Sequence, residues 1–306
     1  GPTTFCQGGN VVLTASAGTS YLWSNGSTSQ QIGVNTSGTY TVIVTTGGCN
    51  LTSAPTIVTV NPLPAANITA GGPTTFCDGN NVVLTASAGS SWLWSNGATT
   101  QTITVTTSGA NTVRVTNASG CSANSAATTI TVTTKPTVTL TAAPYTKLYP
   151  GLTTTINAAV SPAGTYTYTW QKNGSVITGI TNTTSLPVSL DQLGSYTLIV
   201  ASNGVPPCSN TSDALVIADS VTSRLFVYPN PTDGNFQIRF YTTTVGSHSV
   251  SVFDAKGAIV FRKTYAISNA YQQLDADVRQ HGSGVYQVVL HDKSGKKLAA
   301  KQVVVQ

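Results

Sequence analysis

The five cysteines are the most reactive side chains of this sequence, and four of them follow a pattern. Cys6 and Cys49 lie in one copy of an internal repeat, and Cys77 and Cys121 occupy the matching positions of a second copy. Paired cysteines can bind a metal, but these pairs lack C-x-x-C spacing and have no histidine nearby. We therefore predict the disulfides Cys6–Cys49 and Cys77–Cys121, which would each staple one small domain and imply an oxidising compartment.

The fifth cysteine, Cys208, aligns with the second cysteine of each pair, in a third and diverged copy of the repeat. Tyr149 lies near the position where its partner should be, so we predict that Cys208 is unpaired. A nucleophilic thiol needs a base, and the first 247 residues contain no histidine. We interpret Cys208 as the remnant of a lost bridge.

Few residues of this sequence are suited to acid–base catalysis or to metal binding. Residues 1–220 contain four aspartates, no glutamate and no histidine. His248, His281 and His291 are widely spaced and have no cysteine nearby, so we expect them at the surface. The aspartates of the C-terminal part lie in single turns without calcium-loop spacing. We expect no catalytic residue, no metal and no cofactor, and we predict that these residues do not form an enzyme.

The composition favours strands over helices. Charged residues make up 8% of the 306 positions, Met is absent, and about one residue in six is Thr. No apolar run approaches the ~20 residues of a membrane helix, so no transmembrane helix is expected. Because the chain has no initiator Met, we expect a processed product or a fragment of something longer.

The net charge of +5 lies entirely in residues 221–306, which hold ten Lys and Arg against five Asp. This shift predicts a domain boundary near residues 219–221. The basic segment is interpreted as a solvated surface or as one that docks on an acidic partner. Nucleic-acid binding is not expected, because no basic stripe interleaved with aromatic residues is present.

Internal repeats organise the first 219 residues. The segments Gly1-Pro-Thr-Thr-Phe-Cys6 and Leu22-Trp-Ser-Asn-Gly26 recur at an offset of 71, and Tyr168-Thr-Trp170 belongs to the third copy. Apolar residues alternate within each copy, and turn residues separate the alternating runs, which is typical of antiparallel β-sandwiches. The first copy lacks the opening strand that residues 62–71 supply to the second, so we expect the sequence to start inside a longer array.

These repeats resemble the Ig-like or PKD-like modules of large bacterial surface proteins. The resemblance implies that Trp23, Trp94 and Trp170 pack between two sheets and that a Tyr such as Tyr40 forms a corner. Trp92, two residues before Trp94, could extend an aromatic platform for sugars, although a core position is favoured. The predicted fold is all-β, with tandem Ig-like antiparallel β-sandwiches and a small C-terminal β-sandwich, over the ranges 1–62, 63–134, 135–219 and 220–306.

The last 86 residues carry several ordered motifs. They are Val227-Tyr-Pro-Asn-Pro231, Val250-Ser-Val-Phe-Asp254, Gly282-Ser-Gly284-Val-Tyr286 and Lys301-Gln-Val-Val-Val305. Their order resembles the type A C-terminal sorting domain of proteins exported by the type IX secretion system of Bacteroidota.

The resemblance implies recognition by the type IX outer-membrane translocon and by its shuttle and processing proteins. The tail would then be cleaved in a linker near residues 218–222, and the cargo would be released or attached to surface lipopolysaccharide or another glycan. The implied recognition residues are Tyr228, Pro229, Asn230, Pro231, Gly284, Tyr286, Lys301, Val303 and Val305. Ser220, in Asp219-Ser220-Val221, also resembles an O-glycosylation site of these bacteria.

The sequence is compatible with three functions. The leading hypothesis is the C-terminal part of an exported cell-surface protein of the adhesin or gliding type, with the repeats as a stalk. The alternative is a spacer or carbohydrate-binding region of a secreted polysaccharide-degrading enzyme whose catalytic domain lies upstream. A structural surface layer is the third.

Overall fold

Alternating apolar residues form strands along the whole chain, and the computed structural model describes all residues from 1 to 306. The protein is all-β, as predicted, with two short 3₁₀ helices as its only helical turns. None of its helices has the length and apolar character needed to cross a membrane. The chain divides into two units, Gly1–Thr134 and Lys135–Gln306. We name residues 1–62, 63–134 and 135–219 modules 1, 2 and 3, and residues 220–306 the C-terminal domain.

Module 1 contains eight strands in three small sheets, ordered β2-β4, β3-β6-β7 and β1-β8-β5. Strand β1 runs parallel to β8, and the other pairs are antiparallel. The strands are β1 Thr4–Cys6, β2 Val11–Thr14, β3 Ser20–Trp23, β4 Gln31–Val34, β5 Gly38–Tyr40, β6 Val42–Thr46, β7 Cys49–Thr52 and β8 Thr56–Asn61.

Module 2 repeats this arrangement and adds a strand at its start. Its sheets are ordered β13-β11-β9, β12-β15-β16 and β10-β17-β14, and β9 has no counterpart in residues 1–62. The strands are β9 Ile68–Ala70, β10 Thr75–Cys77, β11 Val82–Ala86, β12 Ser91–Trp94, β13 Thr102–Val105, β14 Gly109–Asn111, β15 Val113–Thr116, β16 Ser122–Asn124 and β17 Thr128–Thr133.

Module 3 has longer strands and one 3₁₀ helix, Leu190–Gln192. Its sheets are β18-β20-β23 and β19-β26-β24-β21-β22, with β25 also paired to β24. The strands are β18 Thr137–Ala143, β19 Lys147–Leu148, β20 Thr153–Ser161, β21 Tyr166–Lys172, β22 Ser175–Val176, β23 Ser185–Ser189, β24 Gly194–Ser202, β25 Ser209–Thr211 and β26 Leu215–Asp219.

The C-terminal domain is a sandwich of a three-stranded sheet, β27-β28-β31, and a four-stranded sheet, β30-β29-β32-β33. Its core contains Phe236, Ile238, Val252 and Val288. The strands are β27 Leu225–Tyr228, β28 Asn235–Phe240, β29 Gly246–Phe253, β30 Ile259–Ile267, β31 Leu274–Asp277, β32 Gly284–His291 and β33 Lys297–Val305, with a 3₁₀ helix at Arg279–His281.

The predicted core tryptophans are buried in all three modules. Trp23, Trp94 and Trp170 are 5%, 2% and 1% exposed, and each indole N–H donates to a backbone carbonyl further along its module. Gly18 lets the chain pass close to Val44 of β6 beside this core, because a Cβ atom at position 18 would lie 2.4 Å from the Val44 side chain. The repeated residues therefore encode the same sandwich in each copy.

The predicted disulfide pairing is wrong. Cys6 bonds Cys121, with their Cα atoms 5.5 Å apart and a sequence separation of 115, and Cys49 is a free, exposed thiol. Cys77 and Cys208 are also disulfide-bonded, so the prediction that Cys208 is unpaired is wrong as well.

The direction of β1 explains the Cys6–Cys121 bond. Since β1 runs parallel to β8, Cys6 pairs in register with Asn61, at the end of module 1. Cys121 lies at the same junction, with its Sγ 3.9 Å from the Asn61 carbonyl oxygen, and Asn117 donates to the Pro62 carbonyl at 2.9 Å. The disulfide therefore joins two consecutive modules instead of closing one.

Candidate functional site

The implied recognition motifs of the C-terminal domain are brought together by its last strand, β33. One edge of β33 pairs with β32, so that Val305 faces Gly284 and Val303 faces Tyr286 across the ladder. The Gly-Val-Tyr motif and the C-terminal end therefore lie on the two adjacent strands of one hairpin. Lys301 lies on the same strand, opposite Val288.

The Tyr228–Pro231 segment contacts the other edge of β33. The side-chain amide of Asn230 donates to the Gln302 carbonyl at 3.1 Å and accepts from the Val304 amide at 3.0 Å. Thr232 then makes two backbone hydrogen bonds with the end of the strand, each 2.9 Å long. The Thr232 amide donates to the Val304 carbonyl, and the Gln306 amide donates to the Thr232 carbonyl. All three motifs thus meet at one corner of the domain, the β33 corner.

Burial divides the implied recognition residues into two groups. Tyr286, Val303 and Val305 are at most 4% exposed and belong to the core, so they support the shape of the corner. The Tyr286 hydroxyl lies 2.8 Å from the carbonyl oxygens of His281 and Gly282. Tyr228 is half-buried, and the residues that a partner protein could touch directly are Pro229, Asn230, Pro231, Gly284 and Lys301.

Two residues of this corner were missed by the sequence analysis. Thr232 is buried, and its hydroxyl donates to the Asn235 carbonyl at 2.7 Å and accepts from the Gly234 amide at 3.2 Å. Gly234 has φ +105°, and a Cβ there would lie 2.9 Å from the Arg279 backbone. Both residues directly follow the Pro231 motif, and this position in sequence was the available signal.

The C-terminal domain also contacts module 3 through a buried arginine. Arg239, on β28, directs both terminal nitrogens at the Asp191 carboxylate and donates to the Tyr271 carbonyl and to Gln273. Phe226 stacks on Tyr149 of module 3 at 5.7 Å between ring centroids. Charged residues of the basic segment were expected at the surface, but Arg239 is 6% exposed.

A cavity of about 530 Å³ lies beside this ion pair. Its lining includes Leu190 and Asp191 from module 3 and Tyr228, Arg239 and Lys301 from the C-terminal domain. Burial raises the pKa of the Tyr228 phenol, against the opposing effect of the Arg239 guanidinium. Two of the implied recognition residues, Tyr228 and Lys301, therefore face module 3 as well as the β33 corner.

The segment between module 3 and the C-terminal domain is partly held in place. Residues 218 and 219 belong to β26, and the Ser220 amide donates to the Leu148 carbonyl at 2.7 Å. The Ser220 carbonyl accepts from the Tyr271 hydroxyl at 2.6 Å. The linker expected at residues 218–222 is therefore structured in its first part, and Val221 is the first strongly exposed residue, at 74%.

Several other candidates lie outside this corner. His248, expected at the surface, is 2% exposed and packs against Phe240. Asp254 and Asp292 each accept two or more backbone amides of their own hairpin turn. No group of three His, Cys, Asp or Glu side chains is arranged to hold a metal ion. Trp92 is half-buried against the module 2 core, and its indole N–H donates to the Ser87 carbonyl at 3.0 Å.

Residues 226–306 match the family described as the secretion system C-terminal sorting domain. No curated protein matches the chain. Among solved structures, the chain is similar to the N-terminal eight Ig domains of the Down Syndrome Cell Adhesion Molecule, at 14% identity and a TM-score of 0.41. This similarity covers 99% of the chain but 48% of that structure, so the chain spans about half of its length.

Two further solved structures also consist of tandem domains. Extracellular domains 3–5 of Drosophila OTK are 15% identical, with 71% of this chain and 94% of that chain covered and a TM-score of 0.31. The three N-terminal domains of the bacteriophage RB49 Highly Immunogenic Outer Capsid protein are 14% identical, with 78% and 97% covered and a TM-score of 0.25. These similarities concern the fold.

Proposed function

Because residues 226–306 are a C-terminal sorting domain of the type IX secretion system, we propose that the β33 corner is the surface by which the export machinery recognises this chain. The protein is a secreted one, exported across the outer membrane to the cell surface or the extracellular space. The observation that carries the proposal is the hydrogen bonding of Asn230 to both Gln302 and Val304, which joins the sorting motifs into one structure.

We further propose that the Ig-like modules form a stalk of an adhesin-type or gliding-type surface protein. Support comes from the Cys6–Cys121 disulfide, because a covalent bond across a module junction restricts bending between modules 1 and 2. Low charge and abundant Thr suit a solvated spacer. In this proposal the chain acts by recognition and by spacing, and not by catalysis.

The experiment is expression of the full chain in a bacterium with a type IX system, and in the same strain lacking the translocon. We expect the full chain outside the cell only when the translocon is present, and a chain ending at Asp219 to stay in the periplasm. Peptide mapping of the external form would show whether residues after Val221 are removed. Export of the shortened chain would contradict the proposal.

A further inference from the structure

Module 1 has an open groove where module 2 has a strand. In module 2, β9 pairs with β11, with Ile68 opposite Ala86 and Ala70 opposite Leu84. The corresponding strand of module 1, β2, pairs only with β4, and its other edge is free. A cavity of about 220 Å³ follows this free edge, lined by β2 residues and by the core residues Trp23 and Val44.

The missing strand leaves apolar side chains of module 1 exposed. Leu84 and Val115 of module 2 are 0% exposed, whereas their equivalents at an offset of 71, Leu13 and Val44, are only half-buried. Leu51 beside the groove is 76% exposed. Module 1 therefore carries the residues of a complete sandwich core without the strand that would cover it.

A serine beside the groove has the groups needed to hold such a strand. In module 2, the Ser87 hydroxyl donates to the Ala65 carbonyl at 2.6 Å and accepts from the Asn67 amide at 3.2 Å, and the Ser87 amide donates to the Asn67 carbonyl. Ser16 is the equivalent serine of module 1 and is exposed. The repeat thus retains the residue that fastens the strand preceding the sandwich.

The free thiol of Cys49 is a second, independent sign of an occupant. Cys49 is the first residue of β7, and Cys121 directly precedes β16. Each cysteine comes directly after the turn that follows β6 in module 1 or the equivalent strand β15 in module 2. Cys121 is fully buried in its bond to Cys6 of the preceding module, whereas Cys49 is free and exposed.

We propose that the groove and Cys49 together bind another module of this type at the free end of module 1. A strand equivalent to β9 would pair with β2, and the cysteine ending that module's first strand would bond Cys49, as Cys6 bonds Cys121. The other four cysteines of the chain are already disulfide-bonded, so the partner cysteine belongs to a module outside residues 1–306. This inference goes beyond the proposed function and does not depend on the sorting domain.

The bond requires a disulfide-bearing oxidant, such as a thiol–disulfide oxidoreductase of an oxidising compartment or a small-molecule disulfide. The Cys49 thiol and the partner thiol each lose a proton, and one S–S bond forms between them as two electrons pass to the oxidant. The oxidant's S–S bond breaks and takes up the two protons to give two thiols.

The test extends the full chain by one repeat. A second copy of residues 1–71 is placed before Gly1, with Cys49→Ser in the added copy, and the protein is refolded with oxidised glutathione. We expect no thiol that reacts with iodoacetamide, and a peptide in which the added Cys6 is linked to the original Cys49. Two reactive thiols, or a disulfide linking other cysteines, would overturn the proposal.

Amide hydrogen exchange tests strand binding in the groove separately from formation of the disulfide. Exchange in residues 11–16 is expected to be about tenfold slower in the extended protein than in the original chain. Ile68→Asp in the added copy should restore fast exchange while leaving the module that donates the cysteine intact. A matched control is Leu63→Asp in the added copy, which changes an exposed residue of the same linker. Unchanged exchange in the extended protein would rule out strand binding.

A measurement on the native exported protein shows which molecule supplies the bound module. It does not depend on the folding of the engineered chain. Non-reducing peptide mapping is expected to find Cys49 linked to a cysteine that ends a module's first strand. If the partner lies in the same polypeptide, reduction leaves one chain, and if it lies in another molecule, reduction releases two. Recovery of Cys49 as a free thiol would overturn the proposal.

Discussion

The guanidinium of Arg239 in the C-terminal domain binds the carboxylate of Asp191 in module 3 through both of its terminal nitrogens. The arginine side chain is 7% exposed and the aspartate 67%, so the ion pair lies at the rim of the contact, with the cation inside. The cation also donates to the neutral oxygens of Tyr271 and Gln273 and interacts with the Tyr228 phenol. Asp191 is therefore the group that balances a buried charge at the contact between module 3 and the C-terminal domain.

Removing Asp191 should loosen this junction. In Asp191→Ala the buried guanidinium keeps only neutral partners, and we expect a loss of about 1–3 kcal/mol in the stability of the contact. Trypsin should then cleave faster after Arg224, which is exposed in the segment that precedes the first strand of the C-terminal domain. The control is Asp213→Ala, at an exposed aspartate of the same module. Equal cleavage rates in the two variants would contradict a role for the ion pair.

Two lysines of β33 provide a matched test of recognition. Lys301 lies near the β33 corner, and Lys297 lies at the opposite end of the same strand, and both are exposed. Lys301→Ala is expected to reduce export through the type IX system, with the protein accumulating in the periplasm, because the partner would lose an exposed cation at the corner. Lys297→Ala should be exported like the unchanged chain. Circular dichroism should show the same fold for both variants, and equal export would argue against recognition at Lys301.

Removing the disulfide between modules 1 and 2 should destabilise the first unit. The double variant Cys6→Ser with Cys121→Ser opens a loop of 115 residues, which is worth about 4–5 kcal/mol in the chain-entropy model. Calorimetry should show a lower melting temperature for the transition of residues 1–134, with the transition of residues 135–306 unchanged. Cys49→Ser serves as the control, since that thiol is free. A melting temperature equal to the control would mean that the bond does not stabilise the junction.

The sequence was sufficient to predict the strands and the cores, because the period-two pattern and the repeated tryptophans depend on local residues. The partner of Cys6 was not predictable in this way, because it depends on β1 running parallel to β8, which carries Cys6 to the end of module 1. The burial of Arg239 was hidden for a similar reason. Phe236, Ile238 and Phe240 point to the core of the C-terminal domain, and Arg239 lies on the opposite face, which module 3 covers.

Alkaline pH should weaken the second unit through Tyr271. Burial raises the pKa of this phenol to about 12, with the Asp219 carboxylate and two neighbouring tyrosines adding to the effect, from an ordinary value of 10.0. As the pH rises, the Tyr271 phenol loses its proton at a lower pH in the unfolded chain than in the folded protein. The stabilisation by the protonated phenol is therefore complete below pH 10 and decreases as the pH rises towards about 12.

The variant Tyr271→Phe isolates this contribution. It removes the hydrogen bond to the Ser220 carbonyl, so we expect about 1 kcal/mol lower stability at pH 7. Between pH 10 and 12 its stability should fall less steeply than that of the unchanged chain, although Tyr265, whose pKa is also raised to about 12 by burial, retains part of the slope. Urea midpoints of residues 135–306 at several pH values measure this, with Tyr145→Phe, at an exposed tyrosine, as the control. Parallel pH profiles for Tyr271→Phe and the control would show that the Tyr271 phenol does not couple folding to the proton.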